Sequence, residues 1–67
     1  MLRIQINGES REFGAAASLL DLLRSLDLDP RMVVVEHNRE IVRRPDLGSR
    51  TVNDGDQIEL VHFVGGG

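Results

Sequence analysis

Residues 2–13 read LRIQINGESREF and predict two antiparallel strands joined by a tight turn. Apolar and polar residues alternate over Leu2–Ile6, which is the period of a strand with one buried face. Asn7-Gly8 follows, and both residue types tolerate the positive φ angles of a two-residue hairpin turn. The return strand would cover Ser10–Phe13, with Phe13 anchoring its inner face. The first element is therefore a β-hairpin.

One short helix is predicted after the hairpin. Ser18 can cap it, and Asp21 favours the positive end of the helix. Leucines then recur at spacings of three and four residues and form one apolar stripe, namely Leu19, Leu22, Leu23 and Leu26. The segment Asp27–Pro30 ends the helix, because Pro30 forces the residue before it out of the α region. A helix of about eight to ten residues is marginal alone, so it must pack against a sheet.

Three further strands are predicted in the rest of the chain. Val33–Val35 is β-branched throughout and is typical of a central strand. After a turn at His37–Arg39, the short segment Glu40–Val42 forms a return strand, and Arg43–Arg50 reads as a polar loop. The last strand covers Gln57–Val64, where apolar residues on both faces favour burial on both sides.

The order of these elements predicts an α+β fold. A mixed sheet of about four or five strands with one helix on one face fits this order best. In that arrangement the first and last strands lie side by side and run parallel. The Asn53–Asp56 segment is a cluster of turn-forming residues that leads into the last strand.

Composition excludes several classes of protein. The 67 residues allow one domain; eight Arg and no Lys stand against eleven acidic residues, for a net charge of −3. An acidic chain with two Phe and no Trp or Tyr lacks the basic face and stacking platforms expected of a nucleic-acid partner. No apolar run approaches the ~20 residues of a membrane helix. The absence of Cys excludes disulfides and thiolate chemistry, and it favours a cytoplasmic protein.

The polar residues do not form an enzymatic pattern. His37 and His62 lack metal-ligand spacing and are interpreted as surface or strand-edge residues. Asp54 and Asp56 are interpreted as solvated turn formers. A domain of this size offers no cleft for an oriented catalytic triad. We therefore predict no enzyme activity of its own and no metal site.

The C-terminal residues are the exception. Three glycines, Gly65–Gly67, follow the last strand, and chain without Cβ atoms is thin enough to enter a narrow channel. Fully extended, Val64–Gly67 would reach about 13–14 Å beyond the fold at ~3.3–3.6 Å per residue. The terminal carboxylate, with a reference pKa near ~3.3–3.7, is ionised at neutral pH and is a poor electrophile. Chemistry at Gly67 would therefore need activation by another protein.

Several segments resemble one protein family. The central segment Val33–Arg44, VVVEHNREIVRR, and the segment Val52–Val61, VNDGDQIELV, resemble the bacterial sulfur carrier proteins of thiamine biosynthesis. Ile4–Glu9, Ser18–Leu23 and the terminal glycines match as well, so the resemblance covers essentially the whole chain. One departure concerns the central turn, which is usually Asn-Gly in the family and is Asn38-Arg39 here. The type of that turn is therefore open.

The resemblance implies a fold and a function. The fold would be a ubiquitin-like β-grasp domain over residues 1–64 with a flexible glycine tail over residues 65–67. An adenylating partner would use ATP and magnesium to activate the Gly67 carboxylate. Sulfur from a cysteine desulfurase relay would then give a thiocarboxylate, the 1-thioglycine form of Gly67, and thiazole synthase would receive the sulfur. Gly65 and Gly66 would keep the tail slim, and Val64 and Phe63 would dock at its base.

Three alternatives remain open on the sequence. A sulfur carrier of molybdopterin synthesis would share the fold and the tail chemistry but serve another acceptor. A ubiquitin-like protein modifier would form isopeptide bonds through the same carboxylate. A plain β-grasp binding module would have glycines without a chemical role. The acceptor of the activated tail, if any, distinguishes these functions.

Overall fold

The computed structural model describes residues 1–14 and 18–63, which form a five-stranded mixed sheet with one α-helix on one face. The predicted α+β architecture is confirmed. Among the described residues, no helix is both long and apolar enough to cross a membrane. The elements in chain order are β1 (Leu2–Ile6), β2 (Glu9–Phe13), α1 (Leu19–Ser25), a 3₁₀ helix (Pro30–Met32), β3 (Val33–His37), β4 (Glu40–Val42), a second 3₁₀ helix (Arg44–Asp46) and β5 (Gln57–His62).

The predicted N-terminal hairpin is present. Strands β1 and β2 pair antiparallel from Leu2 opposite Phe13 to Ile6 opposite Glu9. Asn7 and Gly8 have φ angles of 51° and 82°, so both turn residues adopt the left-handed conformation that the hairpin requires. Phe13 is partly buried and packs against the core, as expected for the anchor of β2.

Helix α1 begins as predicted but ends earlier. The Ser18 hydroxyl accepts a hydrogen bond from the Asp21 N–H at 3.2 Å, which satisfies one free donor of the first turn. The helix has seven residues and ends at Ser25. It stops there because Asp27, with a φ of 60°, turns the chain and lets the Leu28 N–H donate to the Leu23 carbonyl at 2.9 Å. This is a Schellman ending with Asp in the position usually taken by Gly.

The sheet has the strand order β2-β1-β5-β3-β4. Strands β1 and β5 are parallel neighbours, with Gln5 opposite Gln57 and Ile6 opposite Ile58, as predicted. The core lies between this sheet and α1. Its buried hydrophobic residues are Ile4, Ile6, Leu19, Leu22, Leu23, Val33, Val35, Val42, Leu47, Val52 and Ile58.

The prediction that β5 is buried on both faces is wrong. Ile58 is 1% exposed, whereas Val61 on the other face is 61% exposed. A single helix covers only one face of the sheet, so the central position of β5 in the strand order does not bury its second face. Burial in the core therefore does not explain why residues on that second face are apolar.

The segment predicted as a polar loop contains a buried anchor. Leu47 follows the second 3₁₀ helix and is 2% exposed. The Leu20 N–H donates to the Leu47 carbonyl at 3.2 Å, and the Leu19 N–H donates to the Arg50 carbonyl at 3.0 Å. These bonds fix the loop against the start of α1.

Candidate functional site

The C-terminal end of β5 is the described part of the predicted site. Strand β5 pairs with β3 as far as His62, which lies opposite Val33. One residue later the Phe63 N–H donates to the Met32 carbonyl at 3.0 Å, so the backbone is still held at the last described residue. The side chain of Phe63 is 45% exposed. The remaining predicted site residues lie outside the described residues and their roles stay predictions: Val64, Gly65, Gly66 and Gly67.

The other edge of β5 is held by the side chain of Asn7. Strand β1 ends at Ile6, and the Asn7 N–H makes one more backbone bond, to the Ile58 carbonyl at 2.9 Å. Beyond that point the Leu60 N–H donates to Asn7 Oδ1 at 2.7 Å, and Asn7 Nδ2 donates to the Leu60 carbonyl at 3.2 Å. The carboxamide thus pairs with β5 as a further strand residue would. Sequence reasoning assigned Asn7 only to the turn and missed this contact, because no local pattern signals it.

Apolar side chains cover part of the sheet face opposite α1. Val34 lies between the buried residues Val33 and Val35 and therefore points away from the core. It sits directly opposite Val61 on β5. We call the exposed set on this face the open-face patch, and its members and exposed fractions are Val34 (42%), Ile41 (66%), Val61 (61%) and Phe63 (45%). Neighbouring exposed hydrophobic residues of this kind mark interaction surfaces.

A buried polar network joins β3 to the turn before β5. His37 is 5% exposed and Asp56 is 8% exposed, so their interpretation as surface residue and solvated turn former is wrong. His37 Nε2 lies 2.6 Å from Asp56 Oδ2, and Arg50 Nε donates to His37 Nδ1 at 3.1 Å. Since Nδ1 accepts from Arg50, the proton of a neutral His37 ring resides on Nε2 and is donated to Asp56. Glu40 forms an ion pair with the same Arg50.

The environment of Asp56 favours its charged form. Burial raises the pKa of this carboxyl, but hydrogen bonds from the Asn53 amide, from His37 and from Asn38 outweigh burial, so the pKa lies below its ordinary value of 3.8. The Asn53 N–H and Asn38 Nδ2 lie 2.8 Å and 3.2 Å from the carboxylate. The carboxylate is thereby a structural group that holds the turn against β3.

The buried histidine His37 is engaged in the polar network on both sides of its ring. Both ring nitrogens of His37 are engaged by Arg50 and Asp56, so this buried imidazole has no free atom for proton transfer to a substrate. Within residues 1–14 and 18–63, no three His, Asp or Glu side chains are grouped as metal ligands. This part of the chain presents a strand end that is hydrogen-bonded on both edges and an exposed apolar face beside it. Both features suit a domain that is bound by other proteins.

Comparison with known proteins agrees with this description. The sequence model of the ThiS family matches residues 4–67. The sulfur carrier protein ThiS of Bacillus subtilis is 38% identical over 65 residues, which are 96% of this chain and 98% of that protein. The crystal structure of the thiamine biosynthesis protein ThiS from Geobacter metallireducens matches with a TM-score of 0.83 and 32% identity, covering 98% of this chain and 100% of that one.

A second kind of relative is longer. A thiazole synthase of Paramagnetospirillum magneticum is 46% identical over 66 residues, which are 98% of this chain and 20% of that protein. A thiazole synthase of Magnetococcus marinus is 41% identical over the same share of each chain. This chain therefore spans about a fifth of the length of these two relatives.

Proposed function

The chain belongs to the ThiS family of sulfur carriers in thiamine biosynthesis, and we propose that its sulfur is carried on the C-terminal carbonyl of Gly67. The observation that supports this proposal most directly is the extent of the family match, which runs from residue 4 through residue 67 and includes the three glycines. The ubiquitin-like β-grasp fold agrees with that membership. In this proposal the described residues form the folded domain that partner enzymes bind.

The proposed chemistry follows from the reactivity of a carboxylate. An ionised carboxylate, with a reference pKa near ~3.3–3.7, resists attack by a sulfur nucleophile at neutral pH. Attack of a Gly67 carboxylate oxygen on the α-phosphorus of ATP, with magnesium on the phosphates, forms the acyl-adenylate and releases pyrophosphate. Sulfur at the oxidation level of hydrosulfide then adds to the activated carbonyl. AMP leaves, and the product is the thiocarboxylate, the 1-thioglycine form of Gly67.

The geometry at the end of β5 supports this assignment of roles. The strand is held on one edge by Met32 and on the other by Asn7, so its backbone is hydrogen-bonded up to Phe63. Four extended residues beyond Phe63 span about 13–14 Å. A tail of this length lets a partner enclose the terminal carbonyl while the folded domain stays outside its active site. Phe63 and Val64 would contact the partner at the mouth of that site.

Three partners belong to the proposal. An adenylating enzyme activates the Gly67 carboxylate with ATP. A relay from a cysteine desulfurase supplies the sulfur, because this chain contains no Cys. Thiazole synthase is the proposed acceptor, and the ThiS-like stretch shared with two thiazole synthases supports that choice. We propose the cytoplasm as the site of these reactions, in keeping with a chain that has no Cys. In all three exchanges the chain is a substrate rather than an enzyme.

Intact mass measures the modification directly. The full chain is incubated with an adenylating enzyme, ATP, magnesium and a sulfide source, and its mass is compared before and after. We expect the gain that corresponds to exchanging one oxygen for one sulfur. Transfer to thiazole synthase should then restore the original mass as thiazole forms.

Deletion of Gly67 tests the position of the modification. The shortened chain should keep the thermal midpoint of the full chain and should lose the mass gain. A sulfur mass gain that persists unchanged in the deletion variant would refute Gly67 as the carrier. Mass added to other proteins through an isopeptide bond would instead identify a protein modifier.

A further inference from the structure

The ring of His37 is held between a permanent cation and an anion. Arg50 Nε donates to His37 Nδ1 at 3.1 Å, and His37 Nε2 lies 2.6 Å from Asp56 Oδ2. A guanidinium has only donors, and it keeps its positive charge in proteins. His37 Nδ1 can therefore accept the Arg50 bond only through its lone pair, which requires the neutral ring with its proton on Nε2.

The bond from Arg50 and a second proton on the His37 ring exclude each other. A protonated imidazole carries an N–H group at both nitrogens. At the observed 3.1 Å, the new N–H on Nδ1 would point at the Arg50 Nε–H, so two donors and two positive charges would face each other. Protonation of His37 must therefore displace the Arg50 side chain, whereas the bond from Nε2 to Asp56 can stay.

The charged groups that face His37 alternate in sign. Asp56 approaches from the turn before β5, and Arg50 from the segment that precedes this turn. On β4, Glu40 lies directly opposite His37 and pairs with Arg50. Strand β5 and helix α1 contribute apolar residues on this side of the sheet: Ile58, which lies opposite His37, and the buried residues Leu19, Leu22 and Leu23. The proton state of His37 is therefore set by Asp56 on one side and by the Arg50–Glu40 pair on the other.

Asp56 remains an anionic partner when the ring is protonated. Burial raises the pKa of this carboxyl, but hydrogen bonds from the Asn53 amide, His37 and Asn38 hold the pKa below its ordinary value of 3.8. Histidines ordinarily change their charge between about pH 5 and pH 8. Asp56 is thus still charged over the range in which a histidine titrates, and a protonated His37 would keep an ion pair at 2.6 Å.

Arg50 has a way out of the network. Its guanidinium pairs with Glu40, whose side chain is 64% exposed, and the side chain of Arg50 itself is 38% exposed. The two side chains can therefore move toward solvent together without separating their charges. The backbone of Arg50 is held independently, because the Leu19 N–H donates to the Arg50 carbonyl at 3.0 Å. Displacement of the guanidinium thus leaves the fold intact.

We propose that His37 is a proton-operated switch for Arg50. When the ring is neutral, it accepts the Arg50 bond and thereby ties Glu40, on the edge strand β4, to the buried network. When the ring takes up a proton on Nδ1, it keeps Asp56 and releases the Arg50–Glu40 pair toward solvent. This inference does not depend on the proposed function, because every group in it belongs to the described domain.

Thermodynamic linkage gives the switch a measurable sign. If protonation of His37 expels Arg50, then Arg50 opposes that protonation by the same amount. Arg50→Met removes the donors and the charge but keeps an unbranched side chain. The His37 ring of this variant should therefore take up its proton at a pH about 0.4–1 unit higher than in the wild type, which is the effect expected of one hydrogen bond. Arg24→Met removes an exposed arginine from α1 and is the matched control, so it should titrate as the wild type does.

Nitrogen NMR of the full chain between about pH 8 and pH 5 tests both halves of the switch. The chemical shifts of the ring nitrogens report where the protons reside, and the Arg50 Nε–H signal reports protection from exchange with solvent. At the upper end of this range we expect a neutral ring with its proton on Nε2 and a protected Arg50 Nε–H. The protection should then be lost with the same midpoint at which the His37 ring becomes charged.

Four results would overturn the switch. They are a charged His37 ring beside an Arg50 Nε–H that is still protected, a neutral ring with its proton on Nδ1, equal midpoints in the wild type and Arg50→Met, and a ring that stays neutral until the domain unfolds. Circular dichroism at each pH shows whether the domain is folded. If Arg50→Met does not fold, the wild-type spectra decide alone, since the coincidence of the ring and Arg50 transitions needs no variant.

Discussion

Arg39 adopts a backbone conformation that an arginine rarely occupies. Asn38 and Arg39 join β3 to β4, with φ angles of 50° and 70°. Positive φ at both central residues is the pattern of a type I′ hairpin turn, so the turn has this geometry although its second central residue is Arg and not Gly. A residue with a Cβ atom in this region costs about 1–2 kcal/mol relative to the right-handed region. The strain is local and should be removable.

Replacing Arg39 with Gly should therefore stabilise the domain. Relief of the strain, partly offset by the greater freedom of Gly in the unfolded chain, is expected to raise the free energy of unfolding by about 0.5–1 kcal/mol. Urea unfolding monitored by circular dichroism measures the change. Arg39→Ala is the matched control, because it removes the charge and keeps the Cβ atom. An equal gain in the Ala variant would attribute the effect to charge rather than to backbone strain.

The residues that sequence reasoning misplaced belong to one long-range network. His37 and Asp56 are nineteen positions apart in the chain, and their contact exists only because β3 and the turn before β5 meet in the sheet. Turn propensity correctly identified Asn53–Asp56 as a turn, and Gly55 has a φ of 88° there. Propensity cannot tell a solvated aspartate from one whose oxygens accept bonds from distant donors. Burial of a polar pair was thus invisible to local patterns.

At the scale of elements, Asn7 extends the pairing of β1 beyond its last residue. Its carboxamide bonds to the Leu60 N–H and carbonyl lie three residues before the last described residue, Phe63. Without these bonds that edge of β5 would have no partner after the bond from the Asn7 N–H to Ile58. Asn7 thus helps to fix the direction in which β5 leaves the sheet.

The Asn7→Gly variant isolates that contribution. Gly accepts the φ of 51° at least as well as Asn does, so the turn should survive while both side-chain bonds disappear. We expect a loss of about 1 kcal/mol in the free energy of unfolding, since each net hydrogen bond contributes about 0.5–1.5 kcal/mol and the relaxed turn offsets part of it. Amide hydrogen exchange should accelerate at Leu60 and stay slow at Phe63, whose N–H bonds to Met32. Unchanged exchange at Leu60 would contradict the role of the carboxamide.

Elements with a strong local signal were predicted well, and their ends and faces less well. The hairpin, the Ser18 cap and the parallel β1–β5 neighbours follow from periodicity and turn chemistry. The end of α1 was misjudged, because Pro30 is a conspicuous helix breaker while the Schellman ending at Asp27 carries no Gly to reveal it. The second face of β5 was misjudged for a different reason. Val61 and Phe63 are apolar but exposed, so a rule that places apolar strand residues in the core misplaces them.

At the scale of the whole molecule, the two faces of the sheet differ in what covers them. A single helix closes one face of the sheet and leaves the other face free. The free face carries exposed hydrophobic residues, among them Val34 and Val61, which lie opposite each other on β3 and β5. The proposed role in thiamine biosynthesis, which the sequence left beside three alternatives, is supported by relatives that match along their full length. The role of Gly67 as the residue that carries the sulfur stays a prediction, since Gly67 lies outside the described residues.

Stability of the domain should fall in acid because of two carboxyls that favour their charged form. Hydrogen bonds from Arg31 lower the pKa of Asp29 to about 2, and the network around Asp56 lowers the pKa of that carboxyl from 3.8. A carboxyl whose pKa is lower in the folded state binds fewer protons there than in the unfolded chain. Its stabilisation is therefore complete above the unfolded pKa of about 4 and is lost as the pH falls through the folded value.

Urea unfolding between about pH 5 and pH 2 should show this decline, and the Asp56→Asn variant should show a shallower one. The variant should be less stable than the wild type near pH 5, because Asn cannot accept all the bonds from Asn53, His37 and Asn38. The two curves should converge in acid, where the wild-type carboxyl is protonated. Asp46→Asn, an exposed change, is the control and should parallel the wild type. Parallel curves for the wild type and Asp56→Asn would show that this buried carboxylate does not carry the acid sensitivity of the domain.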